Sequence, residues 1–411
     1  MENPQPVRSP GDPVRSPDGR RVRVGPSPQA GSARKPAAIS KNILFILVSS
    51  GFAGLHAIVV AHDRTRHAPS IGGETYFSGE FGRRIAAVEI DKAAVDTYRK
   101  NHPEVEVFDK DIREVTGKEV LRKTGKQNID LIAGCPPCQG FSTLTDKKNR
   151  DDPRNQLVIQ MGRLVEELEP RICMLENVPG LAGRGSPLLD QFIEKLESKG
   201  YVITKNVLQM ADYGVPQSRK RLVLLAGKGF GVELPIATHA KAPAKGQEPW
   251  VALRKELKRN KQPTSYSYAK QNGGAKKYNW HVTRDLKPIT IERLKHLKPG
   301  ASRMTLPKHL RPNCHKTSKG FPNVYARMSW DDVAPTMTSG CTTLSSGRFG
   351  HPEENRTISV REAATIQTFP SNYKFETDII EKACEMIGNA LPCRFAEVVS
   401  RQCHEALTET K

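Results

Sequence analysis

The sequence predicts an α/β protein: a doubly wound, mostly parallel sheet with helices around it, carrying one small, irregular insertion. Three observations support this. From residue 84 onwards, short apolar runs alternate with stretches of helical period, the pattern of strands joined by crossover helices. The alternation breaks off near 228 and returns after about 333. Charge follows the same division. The chain of 411 residues carries a formal net charge of +20, and residues 241–320 hold 20 Lys or Arg against four acids, Glu248, Glu256, Asp285 and Glu292.

The boundaries that follow are 1–41, 42–227, 228–333 and 334–411. Residues 1–41 contain eight prolines and the repeat PVRSP at 6–10 and 13–17, with few aromatic or branched apolar residues. Such a segment cannot bury enough surface to offset its ordering entropy, so a disordered basic arm is expected. The run ILFILVSSGFAGLHAIVVA at 43–61 is just long enough to span a bilayer, but it starts too deep for a signal peptide. ILFILV followed by Ser, Ser and Gly reads as a buried first strand entering a turn, and no membrane association is expected.

Expected strands then run from Arg84 to Ile90, Val105 to Phe108, Ile129 to Ala133, Ile172 to Leu175, Val202 to Leu208 and Leu222 to Ala226. Between them Leu157, Val158, Met161, Leu164, Val165 and Leu168 fall on one helical face, as do Leu188, Leu189, Phe192 and Leu196 before Gly200. Residues 228–333 are rich in Lys, Pro, Gly and Asn, with Trp250, Tyr266, Tyr268, Tyr278 and Trp280 interleaved. That balance points to a polyanion partner, nucleic acid first. A last helix is expected to start near Pro392.

Open α/β sheets bind ligands beyond the carboxyl ends of their strands. Polar residues recur at those ends here: Glu89 and Asp91, then Asp111, then the CPPCQ loop, then Glu176 and Asn177. A single acid in such a place is usually a cap; a series of them on one rim is a candidate site. Cys135 and Cys138 are the one pair among eight cysteines with ligand-like or redox-like spacing. A dithiol would need a helix starting at Cys138, where Gly140 suits an exposed loop instead. A zinc site would need a second pair or close histidines, and no metal is expected.

These residues resemble the DNA cytosine-5 methyltransferases over roughly 77–405. GCPPCQGFS is similar to the family's Pro-Cys loop, ENVPG at 176–180 to its Glu-Asn-Val motif, and QSRKR at 217–221 to its Gln-x-Arg-x-Arg motif. RTISVREAATIQTFP at 356–370 resembles the motif that supports the recognition domain, and GNALP at 388–392 the last cofactor motif. The resemblance implies a Rossmann-like fold that uses S-adenosylmethionine and acts on double-stranded DNA, with 228–333 as the target recognition domain. It implies Cys138 as the nucleophile that adds to cytosine C6, Glu176 as the carboxyl group at N3 and the exocyclic amine, and Arg219 and Arg221 as the arginines that position the base and Glu176. For the cofactor it implies Phe77, Gly79, Glu89, Ile90, Asp111, Ile112, Pro137, Leu157 and Asn389. It also implies a protein that is monomeric on DNA, cytoplasmic and nucleoid-associated in a prokaryote, and part of a restriction-modification system.

The first cofactor motif departs from the family. YFSGEFG supplies Phe77 and Gly79 without a double glycine, and the 12 positions from Phe77 to Glu89 leave no room for a crossover helix. Two readings follow: ILFILV is the first strand, SSGFAG its substitute turn and 55–83 the crossover; or the amino-terminal region is unrelated and the cofactor site is damaged. The second leaves a DNA-binding protein of the same fold as an alternative, beside a tRNA cytosine-5 methyltransferase.

Overall fold

The computed structural model describes the backbone of 57–60 and then residues 84–137, 153–257, 262–313 and 323–410. These fall in one compact unit, Ser40–Lys411. The expected strands from Arg84 onwards all form, with ends within two residues of those read from the sequence.

The first described strand, β1 (Ala57–Val60), is followed by β2 (Arg84–Glu89), α1 (Lys92–Asn101), β3 (Glu106–Asp109), α2 (Gly117–Thr124) and β4 (Leu131–Gly134). Then come α3 (Leu157–Leu168), β5 (Ile172–Asn177), α4 (Ser186–Glu197), β6 (Tyr201–Gln209) and β7 (Lys220–Lys228). They build a seven-stranded sheet in the order β3-β2-β1-β4-β5-β7-β6.

Five of these strands run one way, and β1 and β7 run against them. This corrects the expectation of a mostly parallel sheet, because only the β2–β3 and β4–β5 ladders are parallel. The reversal of β7 follows from its hairpin with β6. With β1 antiparallel to β2, the two strands need no crossover helix between them. Ile43–Val48, expected as the first strand, lies outside the described residues, and the strand between β2 and β4 is Ala57–Val60, inside the expected crossover.

Burial along β4 and β5 is continuous rather than alternating, so both faces of the central sheet are covered. Helix α3 presents Leu157, Val158, Met161, Leu164, Val165 and Leu168 to this core, and α4 adds Leu189, Phe192, Ile193 and Leu196. Gly134 lets β4 pass close under α3, where a Cβ would lie 2.3 Å from Met161 Sδ. Helix ends obey local rules. Asp91 accepts from Ala94 N to cap α1, Thr116 accepts from Glu119 N to cap α2, and Gly125 closes α2 at φ +66°.

Beyond β7 come short pieces: α5 (Leu253–Glu256), α6 (Tyr266–Gln271), α7 (Pro288–Lys295), and two-residue ladders pairing His239–Ala240 with Glu248–Pro249 and Thr264–Ser265 with Val282–Thr283. The chain then forms α8 (Val360–Ile366), α9 (Ile380–Asn389) and α10 (Cys393–Glu409), the last capped at Pro392. Leu253, Ala269, Trp280 and Val282 share a core with Trp330, Phe349, Val360, Phe369 and Phe375. Arg361 of α8 ties these parts together, donating to Asn279 O, Asn279 Oδ1 and Tyr373 O. Arg327, itself buried, gathers the carbonyls of Leu294, Leu297, His351 and Glu354. No helix among the described residues is long and apolar enough to cross a membrane.

Candidate active site

Because β2, β3, β4 and β5 point the same way, Glu89, Asp109, Gly134 and Asn177 end on one rim. The chain leaves β4 through Cys135, Pro136 and Pro137, and the two prolines are buried. Cys138, the next residue, lies outside the described residues. Asn177 holds the loop in place: its Nδ2 donates to Pro136 O at 2.8 Å, while its Oδ1 accepts from Val178 N at 2.7 Å. Replacing Asn177 by alanine strips Pro136 O of its buried partner. We expect a loss of about 1–3 kcal/mol in chemical denaturation, with a larger proportional loss of turnover because the loop leads straight into Cys138.

Cys135 is not an activated thiol. Burial pushes its pKa well above the ordinary range, and the negative charge of Glu176 adds to the shift against the opposing Arg221 and Arg219. The two cysteines of the CxxC therefore need not be equivalent. Among the described residues no cluster of His, Cys, Asp and Glu could hold a metal ion.

Glu176 ends β5, and its partner arrives from a strand running backwards. Antiparallel pairing sets Glu176 opposite Val223, so Arg221, two residues earlier on β7, stands on the same face at the same rim. Its Nε lies 2.9 Å from Glu176 Oε1, with both side chains largely buried. The two atoms form an ion pair without being aligned as a hydrogen bond. Burial lowers the pKa of Arg221 and Glu176 opposes the shift; a guanidinium stays charged in either case.

Arg219 and Arg221 were expected to share one task, but the structure separates them. Arg219 is buried, and its Nη1 and Nη2 donate to Met337 O at 2.8 Å and Gly388 O at 3.1 Å. It joins the loop before β7 to the end of α9. There a Cβ on Gly388 would fall 2.1 Å from the Thr338 carbonyl carbon, so the two backbones touch.

The residues expected to hold the cofactor are distributed as follows. Glu89 is buried, and its Oε1 accepts from Ile90 N and Asp91 N at 2.9 and 2.7 Å. Asp111 caps a helical turn and is gripped by Arg113, whose hydrogen bonds hold its carboxyl below the usual range. Ile112 and Leu157 are buried, Ile90 is half-buried, and Phe77 and Gly79 lie outside the described residues. Asn389 ends α9 beside Gly388.

Among the described residues, two buried polar atoms here have no hydrogen-bond partner, Arg219 Nε and Asn389 Nδ2, and Glu176 Oε1 has only its unaligned ion pair with Arg221. Native interiors satisfy nearly all such groups, so under-satisfied atoms on β5, the β7 approach and α9 suit a polar ligand. With Glu89 and Asp111 on the same rim, they fit a nucleoside-containing cofactor beside a polar base.

The sequence model of the C-5 cytosine-specific DNA methylases matches residues 69–405. The chain belongs to that family. Type II methylase M.HgiDII of Herpetosiphon aurantiacus is 35% identical to this methylase over 324 residues, covering 77% of this chain and 87% of the relative. Type II methyltransferase M1.BsuMI of Bacillus subtilis is 29% identical over 326 residues, 76% of this chain and 72% of its own. Among solved structures, Entamoeba histolytica methyltransferase EhMeth superposes with a TM-score of 0.54 at 18% identity over 79% of this chain and 90% of its own, and S. pombe Dnmt2 methyltransferase with 0.53 at 17% over 80% and 91%. These two likenesses show the methyltransferase fold.

Some residues of this methylase's site were given no role from the sequence. Asn177 lies inside the ENVPG motif, yet its tie to the Pro-Cys loop needs the β4–β5 register to be seen. Gln217 and Gln367 lie inside motifs already quoted, but no spacing in the chain shows that they meet.

Proposed function

We propose that this DNA cytosine-5 methylase acts on a cytosine flipped out of duplex DNA, through a covalent bond from Cys138 to C6. The Glu176–Arg221 pair carries the reading, since it places a carboxyl group and its cation at the rim where the Pro-Cys loop emerges. Cytosine C5 is a poor nucleophile. Addition of the Cys138 thiolate to C6 makes the ring an enamine, and Glu176, held by Arg221, meets N3 and the exocyclic amine as charge builds there. C5 then takes the methyl group, and loss of its proton expels Cys138. S-adenosylmethionine, when bound, supplies that methyl as an electrophile. Glu89, Asp111 and Asn389 are the polar residues to hold it, lined by Ile90, Ile112, Pro137 and Leu157, with Phe77 and Gly79 assigned to it by resemblance.

The target base is out of reach inside a helix and has to be extruded. Residues 228–333, with their basic excess, are the target recognition domain in this reading, reading flanking bases while lysines neutralise phosphates. Affinity for duplex DNA is therefore expected to fall about 10³- to 10⁵-fold between 50 and 200 mM salt if about six to ten phosphates are contacted. A titration by fluorescence anisotropy that stays flat with salt would refute this. The Type II names of the curated relatives support a place as the modification half of a restriction system, in a protein that is monomeric on DNA and cytoplasmic.

Expression in a host lacking cytosine methylation, followed by methylation-sensitive sequencing, tests the reading and gives the target sequence together. The reversed β1 favours a second reading, a DNA-binding protein with a defective cofactor pocket. Equilibrium dialysis with S-adenosylmethionine separates the two: no binding at millimolar concentration supports the second.

A further inference from the structure

Two fully buried glutamines, 150 residues apart, form a hydrogen-bonded tape behind Arg219. Met337 N donates to Gln217 Oε1 at 2.7 Å, and Gln217 Nε2 donates to Gln367 Oε1 at 2.7 Å. Gln367 Nε2 then donates to Ile387 O and, at 3.1 Å, to Ala390 O. Arg219 closes the circuit, bonding Met337 O and Gly388 O.

The direction of the tape is fixed by its ends. Met337 N can only donate, so Gln217 must show it an oxygen and turn its NH₂ towards Gln367. The carbonyls of Ile387 and Ala390 can only accept, so Gln367 must show them its NH₂ and turn its oxygen back. Neither amide can flip without setting like groups against each other in a dry interior. The tape therefore has one arrangement, joining three segments far apart in the sequence: 217–221, which carries Arg221 to Glu176; 334–341, which leaves the basic insertion; and 387–390 at the end of α9, which carries Asn389.

We propose that Gln217 and Gln367 are positioning residues that couple the end of α9 at 387–390, beside the proposed cofactor site, to the arginines of the base site. The proposal rests on the cytosine-methylase reading, and the test distinguishes the two. Gln217 touches no residue assigned to the cofactor, so a purely local role predicts that its loss leaves cofactor affinity unchanged.

The test uses the full chain and S-adenosylhomocysteine as probe, by titration calorimetry, with hydrogen exchange followed at 385–391. Gln217→Met keeps the volume and removes the link. Gln217→Glu is the second variant, in case the first does not fold: it still accepts from Met337 N, but when ionised it offers Gln367 no donor. Either folded variant is expected to bind the probe about tenfold more weakly and to exchange faster at 385–391, with Gln217→Met/Gln367→Met no worse than the weaker single variant. A variant that melts earlier yet binds and exchanges like the wild type would overturn the proposal, as would additive losses in the double variant. If the wild type binds no probe, the cofactor reading itself fails, and exchange at 385–391 in Gln217→Met still reports whether the loops are coupled.

Discussion

Serine at position 138 is expected to abolish methyl transfer, by roughly 10⁴-fold or more, and to prevent trapping of a covalent adduct with duplex DNA carrying 5-fluorocytosine at the target. Fluorine at C5 cannot leave as a proton does, so the wild-type enzyme stalls with its thiol on C6. Cys135→Ser is expected to keep activity within about tenfold and to trap the adduct normally. The asymmetry follows from chemistry already described. The Cys135 thiol is pushed up by burial and by Glu176, and it stays protonated at the pH of the reaction. An adduct that survives Cys138→Ser and disappears in Cys135→Ser would reverse the assignment.

The Glu176–Arg221 pair carries the second large effect. Arg221→Met leaves the carboxylate of Glu176, with 6% of its side chain exposed, facing a site without its cation. Breaking a buried pair from one side costs about 3–5 kcal/mol, so the midpoint of urea unfolding should move sharply. Glu176→Leu together with Arg221→Met removes both charges and should recover most of that loss, while methyl transfer stays absent. Glu176→Gln should cost less stability than Arg221→Met but lower turnover about 10²- to 10⁴-fold, because the amide cannot transfer a proton to N3 as negative charge builds on the ring. A double variant no more stable than Arg221→Met would show that the pair does not account for the penalty.

Much of this site was legible in the chain because each motif sits at a strand end. The runs before Glu89, Gly134 and Glu176 are apolar on both faces, and the turn that follows each is where polar residues must emerge. The QSRKR motif breaks that pattern, since it precedes its strand. The reason is β7, whose reversed direction brings its amino end to the rim where the others have their carboxyl ends. Direction is the part of a sheet that local pattern encodes least, because an apolar run reads alike either way. The same blindness hid the reversal of β1, for which the absence of room for a crossover between Phe77 and Glu89 was the only sign. The contacts of Asn177, Gln217 and Gln367 were hidden for another reason: an amide's partner is set by tertiary packing, and no periodicity announces it. The division between Arg219 and Arg221 was equally hidden, since alternate residues near a strand's start look equivalent until Met337 and Gly388 are seen to claim one of them.

This chain moves a methyl group to carbon 5 of cytosine in DNA. Incubating the purified protein with duplex DNA of mixed sequence and methyl-labelled S-adenosylmethionine, then digesting the DNA to nucleosides, measures that directly. The label is expected in 5-methyl-2′-deoxycytidine alone, with none entering tRNA under the same conditions. Label confined to tRNA, or found in another deoxynucleoside, would contradict the account.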